Sequence, residues 1–319
     1  MADVRVAVLD DYQDAALASA DFAVLDGRAD VTVFRDHISD EDELVRRLAD
    51  FDVVIAMRER TPFPAGLLDR LPKLRLLITA GMRNASIDVA AAYQRGITVS
   101  GTGGSRAATA ELIWALIMAV ARRIPAEDAA IRAGRWQTTI GTELAGSTLG
   151  IIGMGNLGRS TARYAQAFDM RLLAWSTNMT SEQAAEAGAE LVGKRELFER
   201  SDIVTVHLKL SDRSRGLIGA DELRWLGPRG FLVNTSRGPI VDEAALVAAL
   251  YDGTIGGAAL DVFDTEPLPL DHPLRTAPNT VLTPHIGFVS EQSYAKIYSD
   301  AVEDVLAWLD GAPIRELPR

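Results

Sequence analysis

The sequence contains no cysteine among its 319 residues. Disulfide bonds, thiolate nucleophiles and cysteine-ligated metal or iron–sulfur sites are therefore excluded. An excess of basic residues is also lacking, because 33 Lys and Arg stand against 44 Asp and Glu and leave a net charge of −11. Nucleic acids and anionic membrane surfaces bind to basic protein faces, so this charge argues against both kinds of partner.

Long apolar runs are missing as well. The longest one, residues 112–121, has half the length of about 20 residues that a membrane-spanning helix needs. Residues 1–14 contain a strand-like run with acidic residues, instead of the basic start and apolar core of a signal peptide. We therefore expect a cytoplasmic protein without a transmembrane helix.

The composition is typical of a globular protein, with 48% hydrophobic and 24% charged residues, and the length predicts two domains of about 150 residues each. Apolar β-branched runs alternate with helix-period segments, which predicts parallel βαβ units. The predicted strands are 4–9, 31–34, 53–57, 74–79 and 97–100 in a first block, and 148–152, 171–175, 203–208, 231–235, 257–261 and 280–283 in a second. A glycine-rich break at 101–104 separates the blocks. We expect an α/β fold of two Rossmann-like, doubly wound parallel-sheet domains with a ligand cleft between them.

The second block opens with a glycine pattern typical of a phosphate-binding turn. Gly153, Gly155 and Gly158 form Gly-x-Gly-x-x-Gly between a predicted strand and a predicted helix, and Asn156 and Leu157 lie within the pattern. The first glycine permits a tight turn, the second lets a pyrophosphate approach the backbone, and the third lets the helix pack closely on the strand. Free amides at the helix N-terminus bind the phosphates. The pattern predicts a dinucleotide cofactor, and the alternative is a glycine turn with only a structural role.

The residues that distinguish NAD from NADP are not decisive. An NAD site usually has Asp or Glu about twenty residues after the glycine pattern, for the ribose diol. The second strand of this block ends instead at Ser176, which can bind a ribose hydroxyl but does not repel a 2′-phosphate. Lys209, at the end of the next strand, could approach such a phosphate. The sequence is therefore compatible with NAD and with NADP.

Three ionisable residues lie just beyond the carboxyl ends of predicted strands, where open α/β sheets bind their ligands. Arg237, Glu266 and His285 each follow a strand of the second block, and His285 is one of only four histidines. Each has a structural alternative, because a histidine beside a proline is more often structural, Arg237 could cap a helix and Glu266 could be solvated. Their common placement favours an acid/base and anion-binding site.

In five segments the chain resembles the D-isomer-specific 2-hydroxyacid dehydrogenase family. The matching segments are 146–158, 201–207, 234–238, 259–267 and 283–287. The resemblance implies an NAD(P)-dependent enzyme that interconverts a 2-oxo acid and a D-2-hydroxy acid, and a homodimer. It also implies a discontinuous substrate-binding domain, residues 1–100 plus 288–319, and a dinucleotide-binding (Rossmann) domain, residues 101–287.

The resemblance gives the three ionisable residues catalytic roles. His285 would protonate the carbonyl oxygen as hydride arrives, and would accept the proton in the reverse direction. Glu266 would orient the imidazole, and Arg237 would bind the substrate carboxylate with its planar fork. Because Arg and protonated His balance the developing negative charge, no metal is expected.

The predicted binding residues lie in the same motifs and in one substrate loop. Thr109 would lie beside the nicotinamide ring and Asp261 would contact its carboxamide, each with a structural role as the alternative. The full cofactor set is Thr109, Gly153, Gly155, Asn156, Leu157, Gly158, Ser176, His207, Lys209, Thr235, Ser236, Asp261 and Gly287. The backbone of Gly81, Met82 and Arg83 would hold the substrate carboxylate. Arg83 replaces the usual glycine of the family, and its charge would favour a bulkier or doubly anionic 2-oxo acid; an exposed arginine without a role is the alternative.

The sequence is compatible with a second function and with two positions for one tryptophan. The same fold can serve as an NAD(H)-sensing binding protein that resembles a corepressor, and an assay with a panel of 2-oxo acids distinguishes this alternative from the enzyme. Trp136 could reach a neighbouring subunit, but a position in the core is the favoured interpretation.

Overall fold

The computed structural model describes residues 4–318, except for the side chain of Arg106. Within this range the chain forms two compact units. One contains the residues up to Ser105 and those from Phe288 onwards, and the other is Arg106–Gly287. Each unit contains its own parallel sheet. Among the helices described, none is long and apolar enough to cross a membrane.

Strands and helices alternate along the chain, as the hydrophobic pattern predicts. The strands are β1 (Val4–Val8), β2 (Ala29–Val33), β3 (Val53–Ala56), β4 (Leu76–Thr79), β5 (Thr98–Gly101), β6 (Thr148–Ile152), β7 (Arg171–Trp175), β8 (Glu190–Leu191), β9 (Ile203–Val206), β10 (Phe231–Asn234), β11 (Gly257–Leu260) and β12 (Thr280–Leu282). The helices are α1 (Ala16–Ser19), α2 (Glu41–Leu48), α3 (Ala65–Asp69), α4 (Val89–Gln94), α5 (Arg106–Ala121), α6 (Ile124–Arg132), α7 (Asn156–Ala167), α8 (Ser181–Glu186), α9 (Lys194–Arg200), α10 (Ala220–Leu226), α11 (Glu243–Tyr251) and α12 (Glu291–Leu309). Short 3-10 helices lie at Phe22–Leu25, Gly238–Ile240 and Pro273–Thr276.

The first unit contains a five-stranded sheet in the order β2-β1-β3-β4-β5, and every pairing is parallel. All residues of β3 and β4 are buried, because helices cover both faces of the sheet and the strands are then apolar throughout. Alternate residues of β1 point to opposite faces. Val6 and Val8 pack in a core with α12, whereas Ala7 and Leu9 pack in a core with α2, α3 and α4.

Residues from both ends of the chain therefore complete this unit. Tyr298 of α12 is fully buried in the core of the first face. Beyond α12 the chain returns to the sheet edge, where the Leu317 amide donates to the Val99 carbonyl at 2.8 Å. The Gly103 amide donates to the Asp300 carboxylate at 2.7 Å, which fixes the segment that follows β5 to α12.

The second unit contains a seven-stranded sheet in the order β12-β11-β10-β9-β6-β7-β8, again with parallel pairings only. The chain runs outward from β6 to β8 and then returns to β9 on the other side of β6. The strand order therefore reverses between β6 and β9, which is the point where open α/β sheets bind ligands at their carboxyl ends. Helices α5 and α7 pack on one face, and α9, α10 and α11 on the other.

The predicted α/β fold class with doubly wound parallel sheets is confirmed. Every predicted strand is present, and its ends differ from the prediction by at most two residues. The sequence does not predict β8, because this strand has only two residues and pairs with β7 alone at the sheet edge. So short a run carries no periodicity.

Candidate active site

His285 and Glu266 form a hydrogen-bonded pair in the second unit. The distance between His285 Nδ1 and Glu266 Oε2 is 2.6 Å, and the two side chains are 17% and 30% exposed. The other carboxylate oxygen, Oε1, accepts from the Phe263 amide at 2.9 Å. Glu266 is therefore fixed by the backbone on one side and orients the imidazole on the other.

Asp261 fixes the turn that carries His285. Its carboxylate accepts from Thr283 Oγ1 at 2.6 Å and from the amides of Ile286 and Gly287 at 2.8 Å each. Burial raises the pKa of Asp261 in spite of these donors. His285 has a φ of 54°, in the left-handed region that an L-residue keeps only when its surroundings hold it there. The contacts of Asp261 supply that support.

Thr109, Asp261 and Gly287 lie together at this corner of the sheet. A Cβ on Gly287 would be 3.1 Å from Asp261 Oδ2 and 3.3 Å from Thr109 Cγ2. These distances are shorter than an ordinary van der Waals contact, so a larger residue would displace its neighbours. Three of the predicted cofactor residues, from α5, from the end of β11 and from the turn after β12, are thus brought into contact.

Arg237 follows β10, and the next residue packs on the segment that leads to Glu266. A Cβ on Gly238 would be 2.1 Å from the carbonyl carbon of Phe263, so only glycine fits there. Because β10, β11 and β12 are adjacent and parallel, their carboxyl ends lie in a row. The structure therefore places Arg237, Glu266 and His285 at one edge of one sheet.

The glycine turn after β6 has the local geometry that the pattern predicts. Gly153 has a φ of 92°, and a Cβ there would be 2.8 Å from the His207 carbonyl oxygen. A Cβ on Gly158 would be 2.2 Å from the Gly153 carbonyl oxygen, so neither position accepts a side chain. By contrast, a Cβ on Gly155 would meet no atom of the described residues within 4 Å. The first turn of α7, which begins with Asn156 and Leu157, has no acidic residue, so no carboxylate of that turn neutralises the positive end of the helix.

Other predicted cofactor residues follow strands at the same edge. Ser176, after β7, is half-buried, and Lys209, beyond β9, is exposed. Thr235 and Ser236 follow β10, and Ser236 Oγ donates to the Leu208 carbonyl. Thr235 Oγ1 is buried and has no hydrogen-bond partner among the residues that the structure describes.

His207 is a neutral residue at this edge. Its Nε2 lies 3.2 Å from Thr205 Oγ1, and burial lowers the pKa of His207 to about 4. The ring is therefore uncharged at neutral pH and acts through hydrogen bonds rather than as an acid or base.

These features fit a dinucleotide. The Thr235 hydroxyl has no partner among the described residues, and a ribose would satisfy it. The positive end of α7 is suited to a pyrophosphate. The open space at Gly155 leaves room for the phosphates. The residues present at the sheet edge are thus suited to the cofactor that the sequence predicts.

The predicted substrate loop lies in the first unit, after β4. Gly81 has a φ of 95°, and its amide donates to Thr102 Oγ1 at 3.1 Å. Met82 and Arg83 are exposed, so the amides that remain for a carboxylate are theirs rather than that of Gly81. Arg58 is not among the predicted residues, although its Nη1 would be 3.0 Å from a Cβ on Gly81. The signal available in the sequence was a cation two residues after the carboxyl end of β3.

Trp136 lies outside this group of residues. Its side chain is 75% exposed, so the interpretation as a core residue is wrong. The physical reason is that residues 133–147 form an irregular segment between α6 and β6, of which residues 133–143 are exposed.

Comparison with known proteins gives a consistent family. A family model described as D-isomer specific 2-hydroxyacid dehydrogenase, NAD binding domain, matches residues 114–287. A glyoxylate reductase of Korarchaeum cryptofilum is 36% identical over 275 residues, which cover 84% of this chain and 82% of that protein. A glyoxylate reductase of Aeropyrum pernix is 41% identical over 255 residues, which cover 77% and 76%. The crystal structure of a phosphoglycerate oxidoreductase from Vibrio cholerae O395 has a TM-score of 0.91 and 36% identity, and the match covers 97% of this chain and 100% of that one.

Proposed function

Because this chain belongs to the D-isomer-specific 2-hydroxyacid dehydrogenase family and is an NAD(P)-dependent dehydrogenase, we propose that it reduces a 2-oxo acid to a D-2-hydroxy acid and catalyses the reverse oxidation. His285 and Glu266 form the acid/base pair, and Arg237 is the carboxylate anchor. The observation that carries this assignment is the 2.6 Å contact between His285 Nδ1 and Glu266 Oε2, at the same sheet edge as the glycine turn.

The proposed mechanism uses one proton and one hydride. When bound, the reduced nicotinamide supplies the hydride to the carbonyl carbon of the substrate. His285 donates its proton to the carbonyl oxygen, so that C=O becomes CH–OH. Glu266 keeps the imidazole oriented, and Arg237 binds the carboxylate through parallel N–H···O bonds. In the oxidation, His285 accepts the proton of the hydroxyl group.

The second unit, Arg106–Gly287, is the proposed dinucleotide-binding domain. The glycine turn and the N-terminus of α7 would hold the pyrophosphate, and the buried hydroxyl of Thr235, which lacks a partner among the described residues, supports a ligand contact at the end of β10. Thr109, Asp261 and Gly287 would contact the nicotinamide. Because Ser176 stands where an acidic residue would repel a 2′-phosphate, both NAD and NADP are acceptable cofactors.

The first unit is the proposed substrate-binding domain. Met82 and Arg83 would present their amides to the substrate carboxylate, and Gly81 would give the loop its left-handed turn. The relatives named glyoxylate reductase support a short 2-oxo acid as substrate. The side chain of Arg83 adds a positive charge that would favour a second anionic group on the substrate.

Steady-state kinetics of two variants tests the proposed function. We expect wild type to oxidise NADH or NADPH in the presence of glyoxylate, hydroxypyruvate, pyruvate or phenylpyruvate. His285→Gln should abolish turnover and retain NAD(P)H binding, and the matched control His37→Gln, a histidine of the first unit, should retain activity. Tight cofactor binding with no turnover on any of these acids would favour the NAD(H)-sensing alternative. Loss of cofactor binding in folded His285→Gln would contradict the assigned role.

A second copy of the chain is the proposed partner. Ile124, Ile131, Trp136 and Ile140 are 52%, 54%, 75% and 94% exposed, and a groove beside α6 is lined by several of them. Exposed large apolar side chains in one region mark interaction surfaces. We assign this surface to a homodimer, and a cytoplasmic location stays a prediction from the sequence.

A further inference from the structure

The segment that carries Glu266 packs on the core through one half-buried side chain, that of Leu268. Residues 264–273, all of them described, are exposed or half-buried, and Leu270 is 91% exposed. Buried side chains return only at Leu274. A segment with few apolar contacts opens readily unless hydrogen bonds hold it. The position of Glu266 therefore depends on those bonds.

Both ends of this segment are bound by a single carboxylate. Glu243 Oε2 accepts from the Asp264 amide at 3.3 Å, and Glu243 Oε1 lies 2.9 Å from His272 Nε2. Glu243 is the first residue of α11, whose N-cap residue Asp242 accepts from the Ala245 amide at 3.0 Å. The side chains of Glu243 and His272 are only 19% and 18% exposed. A residue fixed to a capped helix thus holds the loop at both ends.

The hydrogen bonds of His272 define its tautomer. The Leu274 amide donates to His272 Nδ1 at 3.3 Å. Because an amide can only donate, Nδ1 is the acceptor and the ring proton lies on Nε2, which donates to Glu243 Oε1. His272 therefore has two separable contacts, one as the N-cap of the 3-10 helix Pro273–Thr276 and one with α11.

We propose that Glu243 and His272 form a clamp that positions Glu266 against His285. Both are positioning residues, because they contact the loop and not the reacting groups. The clamp rests on the acid/base roles proposed above for Glu266 and His285, and it adds to them the means by which an exposed loop keeps its carboxylate in place.

The path from the clamp to the imidazole is short. Asp264, whose amide Glu243 binds, is two residues from Glu266, and the neighbouring Phe263 amide donates to Glu266 Oε1 at 2.9 Å. Release of the Asp264 amide would therefore let both this bond and the 2.6 Å contact with His285 lengthen. The turn that leads into α11 packs on the same backbone, since a Cβ at residue 238 would overlap the Phe263 carbonyl. The clamp adds to this packing a direct bond from α11 to the backbone two residues before Glu266.

Two substitutions of His272 separate the clamp from the cap. His272→Asn keeps an acceptor near the position of Nδ1 but has no donor at the position of Nε2. It therefore retains the N-cap bond with the Leu274 amide and loses the bond to Glu243. His272→Gln keeps a donor near the position of Nε2, and with it the bond to Glu243, but loses the N-cap bond with the Leu274 amide. We expect kcat to fall about tenfold or more in His272→Asn and to stay within about twofold of wild type in His272→Gln, because a displacement of 1 Å at a catalytic group can cost about 100-fold in rate. KM for the 2-oxo acid and the affinity for NAD(P)H should be unchanged in both.

Tyr251→Phe is a matched control for the stability of the same segment. Tyr251 OH lies 3.2 Å from the Pro273 carbonyl oxygen and 2.7 Å from Thr276 Oγ1, beyond the clamp. Its loss should lower Tm without a change in kcat. In a Glu266→Gln background, His272→Asn should cause no further loss of kcat, because the clamp acts through Glu266.

Three results would overturn the clamp: wild-type kcat in His272→Asn, a loss of kcat in both His272 variants that follows their loss of Tm, or an undiminished effect of His272→Asn in the Glu266→Gln background. A wild-type protein without turnover on any 2-oxo acid, or full kcat in Glu266→Gln, would instead refute the proposed function and the clamp with it. The first group of results leaves the proposed function intact.

Discussion

Acidification between pH 6.5 and pH 4 should destabilise the protein through His207. Burial lowers the pKa of His207 from 6.5 to about 4, because the charged ring would lose hydration that the fold does not replace. In the unfolded chain the same ring takes up a proton near pH 6.5. Over this interval the unfolded state binds one proton more than the folded state, so the free energy of unfolding falls as the pH falls.

The size of the effect follows from the two pKa values. A tenfold difference in proton affinity corresponds to about 1.4 kcal/mol, so a pKa that burial lowers from 6.5 to about 4 corresponds to roughly 3 to 4 kcal/mol at most. His207 is half-buried, and its Nε2 has a partner in Thr205 Oγ1. Because partial hydration reduces the penalty for charging the ring, we expect a loss of about 2 kcal/mol over the whole interval.

The four histidines of the chain make a direct measurement practical. An NMR titration of the imidazole resonances, assigned with His207→Gln, should show one ring that stays neutral far below pH 6.5. In chemical denaturation, wild type should lose roughly 1.5 to 2 kcal/mol more than His207→Gln between pH 7 and pH 5. The variant is the control, because it keeps every other titrating group. Titration of residue 207 near pH 6.5, or the same pH dependence of unfolding in both proteins, would refute the reasoning.

Further predictions concern the cofactor, the substrate and the partner. Gly158→Ala should weaken NAD(P)H binding about tenfold in a fluorescence titration, because its Cβ would lie 2.2 Å from the Gly153 carbonyl oxygen and displace α7; unchanged affinity would count against the assigned turn. Ser176→Asp should lower the ratio of kcat/KM with NADPH to that with NADH, since a carboxylate repels the 2′-phosphate. Arg83→Ala should reduce kcat/KM more for a dicarboxylic than for a monocarboxylic 2-oxo acid. An equal reduction for both acids would refute the proposal that Arg83 favours a second anionic group. Trp136→Ser should shift light-scattering mass from dimer to monomer, and a wild-type monomer would exclude the proposed interface.

Local backbone requirements are what the sequence predicts best in this chain. Gly153 and Gly158 must be glycine because backbone oxygen atoms lie where a Cβ would be. Both glycines belong to a short motif between a strand and a helix, and this motif is recognisable in the sequence. The order of Arg237, Glu266 and His285 after consecutive strands is likewise visible, because parallel strands end at one edge of a sheet.

Contacts between distant segments are what the sequence does not predict. The three bonds that Asp261 makes with residues 283–287 depend on how two turns lie side by side. The link between Glu243 and His272 spans 29 residues and leaves no periodic pattern. The position of Trp136 is also not predictable from the sequence. An aromatic residue within a polar stretch has the same sequence context whether it packs in the core or lies on a surface that a second chain covers.

The return of α12 to the first sheet has a consequence for the order of folding. The bond between the Gly103 amide and Asp300 closes a span of 197 residues, and closing a flexible loop of that size costs about 5 kcal/mol in chain entropy. Prior folding of Arg106–Gly287 would remove much of this cost, because the span would no longer be a flexible chain. During synthesis the inserted unit should therefore mature first. The β1 face that packs on α12 would meanwhile stay uncovered, and it is the surface that a chaperone would meet on a nascent chain.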